Sequence, residues 1–289
     1  MASALITGGE LSAYVDTDGP NGWCGLRQLR HAASSTEWLL SPALTLEHYI
    51  GVPPNAPEYI QYEPCYSPRV LRDIRPDGCT LSYRPTSCAE TTCNITYTVT
   101  PPHAVDVAIH ATTSRRSWPL GSLALFFATI VRAPVYTGVT LRGYDNARHP
   151  KASPWLHFNG HAEIPGRVVH PSGLPNPGLG RPQPAPPTYY YADSSVRFDE
   201  PFFFGTVADL SYAVLFPASQ RQYVRFVVNP LAPAFGGPAW DFFSVIPSPQ
   251  AGQQYKLAMR ILLKPLLGAD DILGAHRAYV RGVLGAEWH

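Results

Sequence analysis

Long hydrophobic runs, charge and familiar catalytic motifs are all scarce in this sequence. No apolar stretch reaches the roughly 18 residues that a membrane-spanning helix needs, so no membrane partner is expected. Charged residues make up 15% of the chain and the formal net charge is +1, with no basic run, which gives no electrostatic reason to expect nucleic acid. A Gly-rich phosphate loop, a Gly-x-Ser-x-Gly elbow and a His-Glu-x-x-His pair are also absent, which leaves nucleotide-dependent enzymes, serine hydrolases and zinc proteases without support.

The N-terminal residues and the cysteines bear on location. The first residues lack a basic start, an apolar core and a small-residue cleavage site, which favours a cytoplasmic protein over one exported with a leader that this sequence does not include. Of the five cysteines, four crowd a short region: Cys65, Cys79, Cys88 and Cys93. Their spacing contains no Cys-x-x-Cys and fits no zinc pattern. The odd count and the missing leader favour reduced thiols over one or two local disulfides.

Proline and glycine, in contrast, are abundant and divide the chain into short segments. With 31 prolines and 23 glycines, most elements between them must be strands rather than long helices. Ten segments rich in β-branched and aromatic residues are predicted as strands: ELSAYVD, LTLEHYI, CTLSYRP, ITYTVT, VDVAIHAT, LALFFATIV, GVTLRG, LSYAVLF, QYVRFVV and YKLAMRILLK. The segment LALFFATIV is apolar on both faces and is expected inside a sheet under a second layer. The fold class predicted is therefore all-β, a large antiparallel β-sandwich of two stacked sheets.

Two further segments complete the predicted organisation. Apolar residues recur at helical spacing over residues 272–284, after Asp270 and Asp271, which predicts one C-terminal helix with acidic residues at its positive start. Residues 165–187 are too rich in proline for a central strand. They are interpreted as a long Pro/Gly-rich loop within a single domain, residues 1–289, because strand-like sequence resumes at once after them; a flexible interdomain linker is the alternative. Long loops in compact domains often carry function.

The segment WLHFNGHAE, residues 155–163, is the densest group of titratable side chains. On one extended strand, His157, His161 and Glu163 would share a face, whereas the Asn-Gly pair between the histidines favours a tight turn with the two rings facing each other. Either geometry suits general acid–base chemistry without a cofactor, or one divalent metal held by the same three side chains. The alternative is a polar hairpin whose histidines bond to the backbone.

Other acids lie where predicted strands meet loops. Asp241 is the single charge in the apolar strand AWDFFSV, so it needs a partner and is either a structural acid or a site residue. Glu200 precedes an aromatic block that would raise the pKa of its carboxyl group, with an ordinary turn before the following proline as the alternative. Glu47 and His48 are neighbours in one strand and are expected on opposite faces, with Glu47 as a solvated edge residue.

Arginines and aromatic residues are the candidates for substrate binding. Four arginines in strand settings would suit forks around a sugar carboxylate or sulfate, with solvation at the surface as the alternative for each: Arg69, Arg84, Arg142 and Arg225. Large aromatic side chains mostly build β-sandwich cores, but those near the long loop could stack on the C–H faces of sugar rings. The predicted substrate-binding residues are Trp155, Arg84, Tyr190 and Trp240.

Two parts of the chain resemble the galactose-mutarotase-like supersandwich proteins. The first is the N-terminal order LSAYVD, NGWCGLRQLRHAASSTEWLLS, ALTLEHYIG, and the second is GPAWDFFSVIP followed by YKLAMRILLKPLLGADDI. The resemblance implies a very large antiparallel β-sandwich whose concave face binds carbohydrate, in a group that includes aldose epimerases, polysaccharide lyase domains and glycoside hydrolase domains. Aldose epimerases of this group use two histidines far apart in the chain and a late glutamate base. Here the closest histidine pair is His157 and His161, and the late acid is Asp241.

The function predicted from these observations is a carbohydrate-active enzyme that hydrolyses a glycosidic bond, eliminates across a sugar carbon or epimerises it. The predicted catalytic residues are His157, His161, Glu163, Asp241 and Glu200. No cofactor is required, or one divalent metal is bound, and the partner is a carbohydrate ligand, with a homo-oligomer left open. The alternative function is a non-catalytic carbohydrate-binding or structural β-sandwich protein, in which the histidines are structural.

Overall fold

The computed structural model describes residues 2–19, 22–34, 40, 42–53, 55–132, 134–147, 154–159, 168–174, 193–229 and 237–283. Within these residues the chain forms two α-helices, α1 (Glu63–Tyr66) and α2 (Ala269–Val283), and eighteen β-strands. The strands are β1 (Ser3–Gly8), β2 (Leu11–Asp16), β3 (Gly25–His31), β4 (Thr45–Ile50), β5 (Arg69–Arg75), β6 (Gly78–Tyr83), β7 (Thr91–Thr100), β8 (Ala104–Thr113), β9 (Ser122–Ala128), β10 (Val139–Asp145), β11 (Trp155–Phe158), β12 (Val168–Pro171), β13 (Asp193–Phe198), β14 (Phe202–Val207), β15 (Leu210–Leu215), β16 (Val224–Asn229), β17 (Ala239–Pro247) and β18 (Gln254–Pro265).

One large sheet of fifteen strands folds over on itself to make two layers. The first layer is β4-β9-β17-β16-β12-β13, the second is β14-β15-β18-β8-β7-β6-β5, and β10 joins them by pairing with β13 and β14. The fifteenth strand, β11, pairs with β10 alone. The described pairings are antiparallel except that β12 and β13 run parallel. Aromatic rings meet between the layers: the centroids of Phe203 and Phe226 are 5.1 Å apart, and those of Phe216 and Phe242 are 5.0 Å apart. The predicted all-β sandwich is confirmed.

A separate sheet, β1-β2-β3, packs against the large one: β1 contacts β5, β6 and β7, and β3 contacts β4 and β18. Its buried residues Ile6, Val15 and Leu29 belong to the same hydrophobic cluster as the residues between the two layers. The backbone N–H of Thr7 donates to the carbonyl of Pro76 at 2.8 Å, which ties β1 to the turn between β5 and β6. The small sheet is therefore continuous with the main core.

The ten predicted strands all appear as strands, because β-branched and aromatic residues suit a pleated surface with buried neighbours. The segment LALFFATIV illustrates the burial argument, since all seven residues of β9 are buried and β9 pairs with β4 on one side and β17 on the other. The predicted C-terminal helix is also confirmed as α2. Its apolar residues Ile272, Leu273 and Tyr279 pack against Phe202 and Phe204 on the outer face of the second layer.

The predicted long loop over residues 165–187 needs a correction. Val168–Pro171 forms the short buried strand β12, which pairs with β13 and β16. Two β-branched valines favour a strand here, and the proline comes last in it, where a missing backbone N–H costs least. Within the predicted loop, residues 165–167 and 175–187 lie outside the described residues. That residues 1–289 form one domain remains a prediction.

All five cysteines are buried free thiols, as the sequence favoured. Burial raises the pKa of Cys65 to about 12 and that of Cys79 to about 11, so both side chains are protonated at neutral pH and behave as small apolar groups. Among the described residues, no helix has the length and apolar character needed to cross a membrane.

Candidate functional site

The outer face of the first layer carries the candidate site. Buried apolar residues on this face form a cluster separate from the main core: Ile50, Ala124, Phe126, Ala128, Val168, Val227, Phe243 and Val245. Side chains alternate along a strand, so residues two positions from these share the face. Three polar residues, His48, Asp241 and Arg225, therefore lie on the same apolar surface, and all three are buried.

Strand register aligns His48 with two phenylalanine rings and an arginine. His48 lies across from Phe126 between β4 and β9, Phe126 lies across from Phe243 between β9 and β17, and Phe243 lies across from Arg225 between β17 and β16. The ring centroids of His48 and Phe126 are 5.4 Å apart, and those of Phe126 and Phe243 are 6.2 Å apart. The result is a row across four strands with an imidazole at one end, a guanidinium at the other and two phenyl rings between.

Glu47 reaches this face because β4 contains a β-bulge. Leu46 lies across from Phe127 and His48 across from Phe126, so Glu47 is the extra residue that breaks the alternation. Its Oε2 lies 3.2 Å from Nε2 of His48, and the two side chains are 9% and 5% exposed. The expectation that Glu47 and His48 point to opposite faces, with Glu47 solvated, is wrong, because it assumed an unbroken period of two.

Asp241 lies on β17 close to this pair. Its Oδ1 accepts the backbone N–H of Thr129 at 3.0 Å, and the residue is 6% exposed. Burial raises the pKa of the Asp241 carboxyl group well above its ordinary value, and the charge of Glu47 raises it further, while the hydrogen bond from Thr129 opposes both. Asp241 therefore holds its proton to a higher pH than an ordinary carboxyl group does. We call Glu47, His48 and Asp241 the acid–imidazole cluster.

Tyr62 covers one side of the cluster. Its ring centroid is 4.4 Å from that of His48, and burial together with the charge of Glu47 raises the pKa of its hydroxyl group. Tyr62 precedes α1 with φ 56° and ψ 32°, a left-handed conformation that is uncommon for a bulky side chain. Glu63 holds the helix in place by accepting the N–H of Ala89 at 2.9 Å. Strained backbone of this kind is often found at functional sites.

Arg225 and His170 extend the polar part of the face. Arg225 is 2% exposed, and its Nη1 donates to the carbonyls of Gln222 at 2.8 Å and Val224 at 2.7 Å. His170 is buried two positions after Val168 in β12, so the alternation of side chains places it on the same outer face as Val168. The face therefore carries two histidines far apart in the chain together with the late acid Asp241.

The predicted catalytic residues do not all lie on this face. His157 is exposed on β11, with its ring 5.6 Å from that of Tyr136. It shares a strand face with Trp155, whose ring contacts Phe202 and Phe204 on the outer side of the second layer, at 6.1 and 6.0 Å. His161 and Glu163 lie outside the described residues, so the proposed metal set and the tight turn stay predictions.

Glu200 also lies on the second layer, next to α2. Its carboxylate is 3.8 Å from Nη1 of Arg142 and 3.7 Å from Nδ1 of His276, and Arg142 in turn stands over the Trp155 ring at 5.7 Å. These contacts tie the β13–β14 turn to the helix. Of the five predicted catalytic residues, only Asp241 is placed by the structure in the acid–imidazole cluster.

The predicted substrate-binding residues are dispersed. Trp155 packs under α2, Arg84 is exposed after β6, and Tyr190 lies outside the described residues. Trp240 faces the core between the layers, where its Nε1 donates to the carbonyl of Thr137 at 2.9 Å. Arg69 donates to the carbonyls of Cys65 at 2.7 Å and Gly22 at 3.1 Å, so its guanidinium joins α1 to the loop before β3. These contacts are structural, and Arg225 remains the arginine on the face of the cluster.

Glu47, His48 and His170 are not among the catalytic residues predicted from the sequence. A charged residue next to a histidine in an otherwise buried strand was the available signal for the first two, because Leu46, Tyr49 and Ile50 around them are all buried. No local pattern marks His170, since the pairing that brings β12 beside β16 joins segments more than fifty residues apart.

The fold is that of galactose mutarotase-like proteins. The structure matches a galactose mutarotase-like protein from Lactobacillus casei with a TM-score of 0.55, at 12% sequence identity, over 91% of this chain and 100% of that chain. It matches the Slr1438 protein from Synechocystis with a TM-score of 0.51, at 6% identity, over 92% of this chain and 96% of that chain. No family model matches the sequence, and no curated protein matches it significantly. The likeness therefore establishes the fold and confirms the resemblance at that level.

Proposed function

We propose that the protein binds a carbohydrate on the outer face of the first layer and transfers protons to and from it with the acid–imidazole cluster. The observation that carries this proposal is the burial of Glu47, His48 and Asp241 side by side on an apolar face, at 7%, 4% and 6% exposure. Burying charged or titratable groups in this way is costly for folding. Such groups gather where a reaction needs shifted pKa values.

The cluster has the parts that acid–base chemistry requires. Asp241, whose pKa is raised, keeps its proton to a higher pH than an ordinary carboxyl group does and can donate that proton to a sugar oxygen. Glu47 lies 3.2 Å from the imidazole of His48, so the two form a unit that can accept a proton and hold the resulting charge. A donor and an acceptor on one face are what hydrolysis, β-elimination and epimerisation of a sugar have in common.

Three features support carbohydrate as the ligand class. The fold is shared with a galactose mutarotase-like protein, and the resemblance implies two distant histidines and a late glutamate base; His48 and His170 fit the histidines, whereas the late acid here is the aspartate Asp241. Phe126 and Phe243 are fully buried, and their place between His48 and Arg225 gives the face the mixed apolar and polar composition of a ligand site. Arg225 beside Phe243 would suit a carboxylate or sulfate on the ligand.

The test has two stages. A thermal-shift screen of neutral sugars, uronates and sulfated oligosaccharides identifies the ligand, and NMR of the mixtures then reports anomer exchange, new reducing ends or unsaturated uronate. Glu47→Gln and Asp241→Asn are expected to lower turnover by about 100-fold or more, the usual contribution of a proton-transferring group. Asp77→Asn, on the exposed β5–β6 turn, is the matched control and is expected to retain the activity. The proposal would be contradicted if Glu47→Gln and Asp241→Asn both kept the wild-type activity, or if only the control lost it.

A non-catalytic carbohydrate-binding protein is the second candidate. The pairing within the cluster favours it. His48 is paired with Glu47, and Asp241 accepts the N–H of Thr129, so the hydrogen-bonding groups have partners within the protein, as buried structural groups do. In that case the sugar that stabilises the protein would be recovered unchanged, and the variants would alter its dissociation constant only.

A further inference from the structure

We propose that Glu10, His31 and His103 form a binding site for a transition-metal dication, with zinc as the chemically best match. The site lies at the junction of the small sheet with the turn between β7 and β8. The proposal is independent of the carbohydrate function.

The ligand atoms already converge. Nε2 of His31 lies 3.2 Å from Nδ1 of His103 and 3.2 Å from Oε2 of Glu10, and the three ligand atoms lie within 4.8 Å of one another. Zinc with nitrogen and oxygen ligands at about 2.1 Å in a tetrahedron requires ligand atoms about 3.4 Å apart. Two of the three separations are thus close to the spacing that zinc needs, and a small rotation of the exposed Glu10 side chain adjusts the third.

The backbone holds all three residues in position. His31 is the last residue of β3 and lies across from Leu11 in β2. Leu11 directly follows Glu10 in the sequence, so the pairing brings Glu10 beside His31. The N–H of Glu10 donates to the carbonyl of Pro102 at 3.0 Å, and the N–H of Leu263 donates to the carbonyl of His103 at 3.1 Å. The small sheet, the β7–β8 turn and β18 therefore meet at this point, and a metal would join them through side chains as well.

The ligand types determine which metal the site prefers, and the exposure of the ligands determines whether the metal can enter from solvent. Two imidazoles and one carboxylate suit zinc, copper or nickel, whereas magnesium and calcium prefer sites made of oxygen alone. The side chain of His31 is fully buried, but that of Glu10 is 46% exposed and His103 is partly exposed, so the site is open to solvent on one side. Water can complete the coordination there.

Binding requires a change of tautomer at His31. Its Nδ1 accepts the N–H of Ala33 at 3.1 Å, so in the metal-free protein the ring proton is on Nε2, where it faces both His103 and Glu10. One proton cannot satisfy two acceptors fully. When a metal binds Nε2, the proton leaves that atom and Nδ1 takes up a proton from solvent. The backbone N–H of Ala33 then loses its acceptor on His31 and donates to water instead, because Ala33 is exposed. No net proton is released by His31.

Zinc titration of tag-free protein tests the site. Isothermal titration calorimetry is expected to show one high-affinity equivalent of zinc, and saturating zinc is expected to raise the melting temperature by a few degrees through mass action, with no effect of magnesium. Cobalt substituted for zinc should give the visible absorption of a tetrahedral complex.

The variants use the two ligands nearest the surface, because replacing fully buried His31 would also disturb folding. His103→Ala and Glu10→Gln are expected to weaken zinc binding by at least about tenfold and to remove the cobalt signal. His110→Ala, an exposed histidine on the neighbouring strand β8, is the matched control and should bind zinc as the wild type does. No zinc-dependent stabilisation of the wild type, or undiminished binding by His103→Ala, would overturn the proposal.

Discussion

At the scale of one residue, Asp241 shows why the cluster does not stabilise the fold. Its carboxyl group is buried on β17 with one backbone donor, Thr129, and with the charge of Glu47 nearby. An ionised carboxylate in this position loses more from desolvation than it gains from a single hydrogen bond. Asp241 could be identified as a candidate from the sequence, because it is the single charged residue in an apolar strand.

Asp241→Asn is expected to stabilise the protein at neutral pH. The native pKa of Asp241 is raised, so the native state binds this proton more tightly than the unfolded state, in which the pKa is about 3.9. Stability is therefore lost as pH rises from about 4 through the native pKa, and asparagine, which keeps an acceptor for Thr129, avoids this loss. A gain of about 1 kcal/mol would raise the melting temperature by about 2 °C.

Scanning calorimetry at pH 7 and pH 3 measures this effect. The variant should melt higher than the wild type at pH 7 and at the same temperature at pH 3, where the carboxyl group is protonated in both states. Asp77→Asn on the exposed turn is the control and should shift neither value. A melting temperature of Asp241→Asn below that of the wild type at pH 7 would contradict the raised native pKa.

At the scale of the element, β4 explains why the site was only partly predictable. Its composition predicts a strand and the structure has one, yet the bulge at Glu47 decides which side chains share a face. A bulge depends on the register with β9, which the residues of β4 do not encode by themselves. The closeness of His157 to His161 in sequence does not show which layer its strand joins, and the structure places His157 on β11, which pairs with β10.

Helix α2 gives a second prediction at this scale. Gly274 lies on its exposed side, and a Cβ built there meets no heavy atom within 4 Å. Alanine restricts the unfolded chain and favours the helix, so Gly274→Ala should raise the free energy of unfolding by about 0.5–1 kcal/mol. Urea denaturation followed by circular dichroism measures it. A loss of stability would mean that the helix ends before this position.

At the scale of the whole molecule, the site depends on strand order. His48 in β4 and Asp241 in β17 are brought to one face because β9 lies between their strands, although the two residues are nearly two hundred positions apart. Periodicity and turn residues predict where strands are, and the two-layer fold follows from their apolar faces. The order of fifteen strands is a matter of long-range pairing that one sequence does not display.

Gly205 tests how tightly the two layers fit. A Cβ added to this residue of β14 would lie 2.2 Å from a ring carbon of fully buried Trp240 in β17. Because the core is close-packed and the indole also donates to the carbonyl of Thr137, the ring has little room to move. Gly205→Ala should lower the free energy of unfolding by about 1–3 kcal/mol. Gly274→Ala, with the opposite expected sign, is the matched control, and equal effects of the two would contradict this packing.

The most direct test of the proposed function is the rate at which the protein converts its best-binding sugar, followed by NMR for the wild type, His48→Ala and His110→Ala. Both variants remove one imidazole, but His48 contacts Glu47 on the outer face of the first layer, whereas His110 is exposed on β8. The rate is expected to fall by about 100-fold or more in His48→Ala and to stay at the wild-type value in His110→Ala. Equal rates for the wild type and His48→Ala, with the variant folded, would contradict a catalytic role for the acid–imidazole cluster.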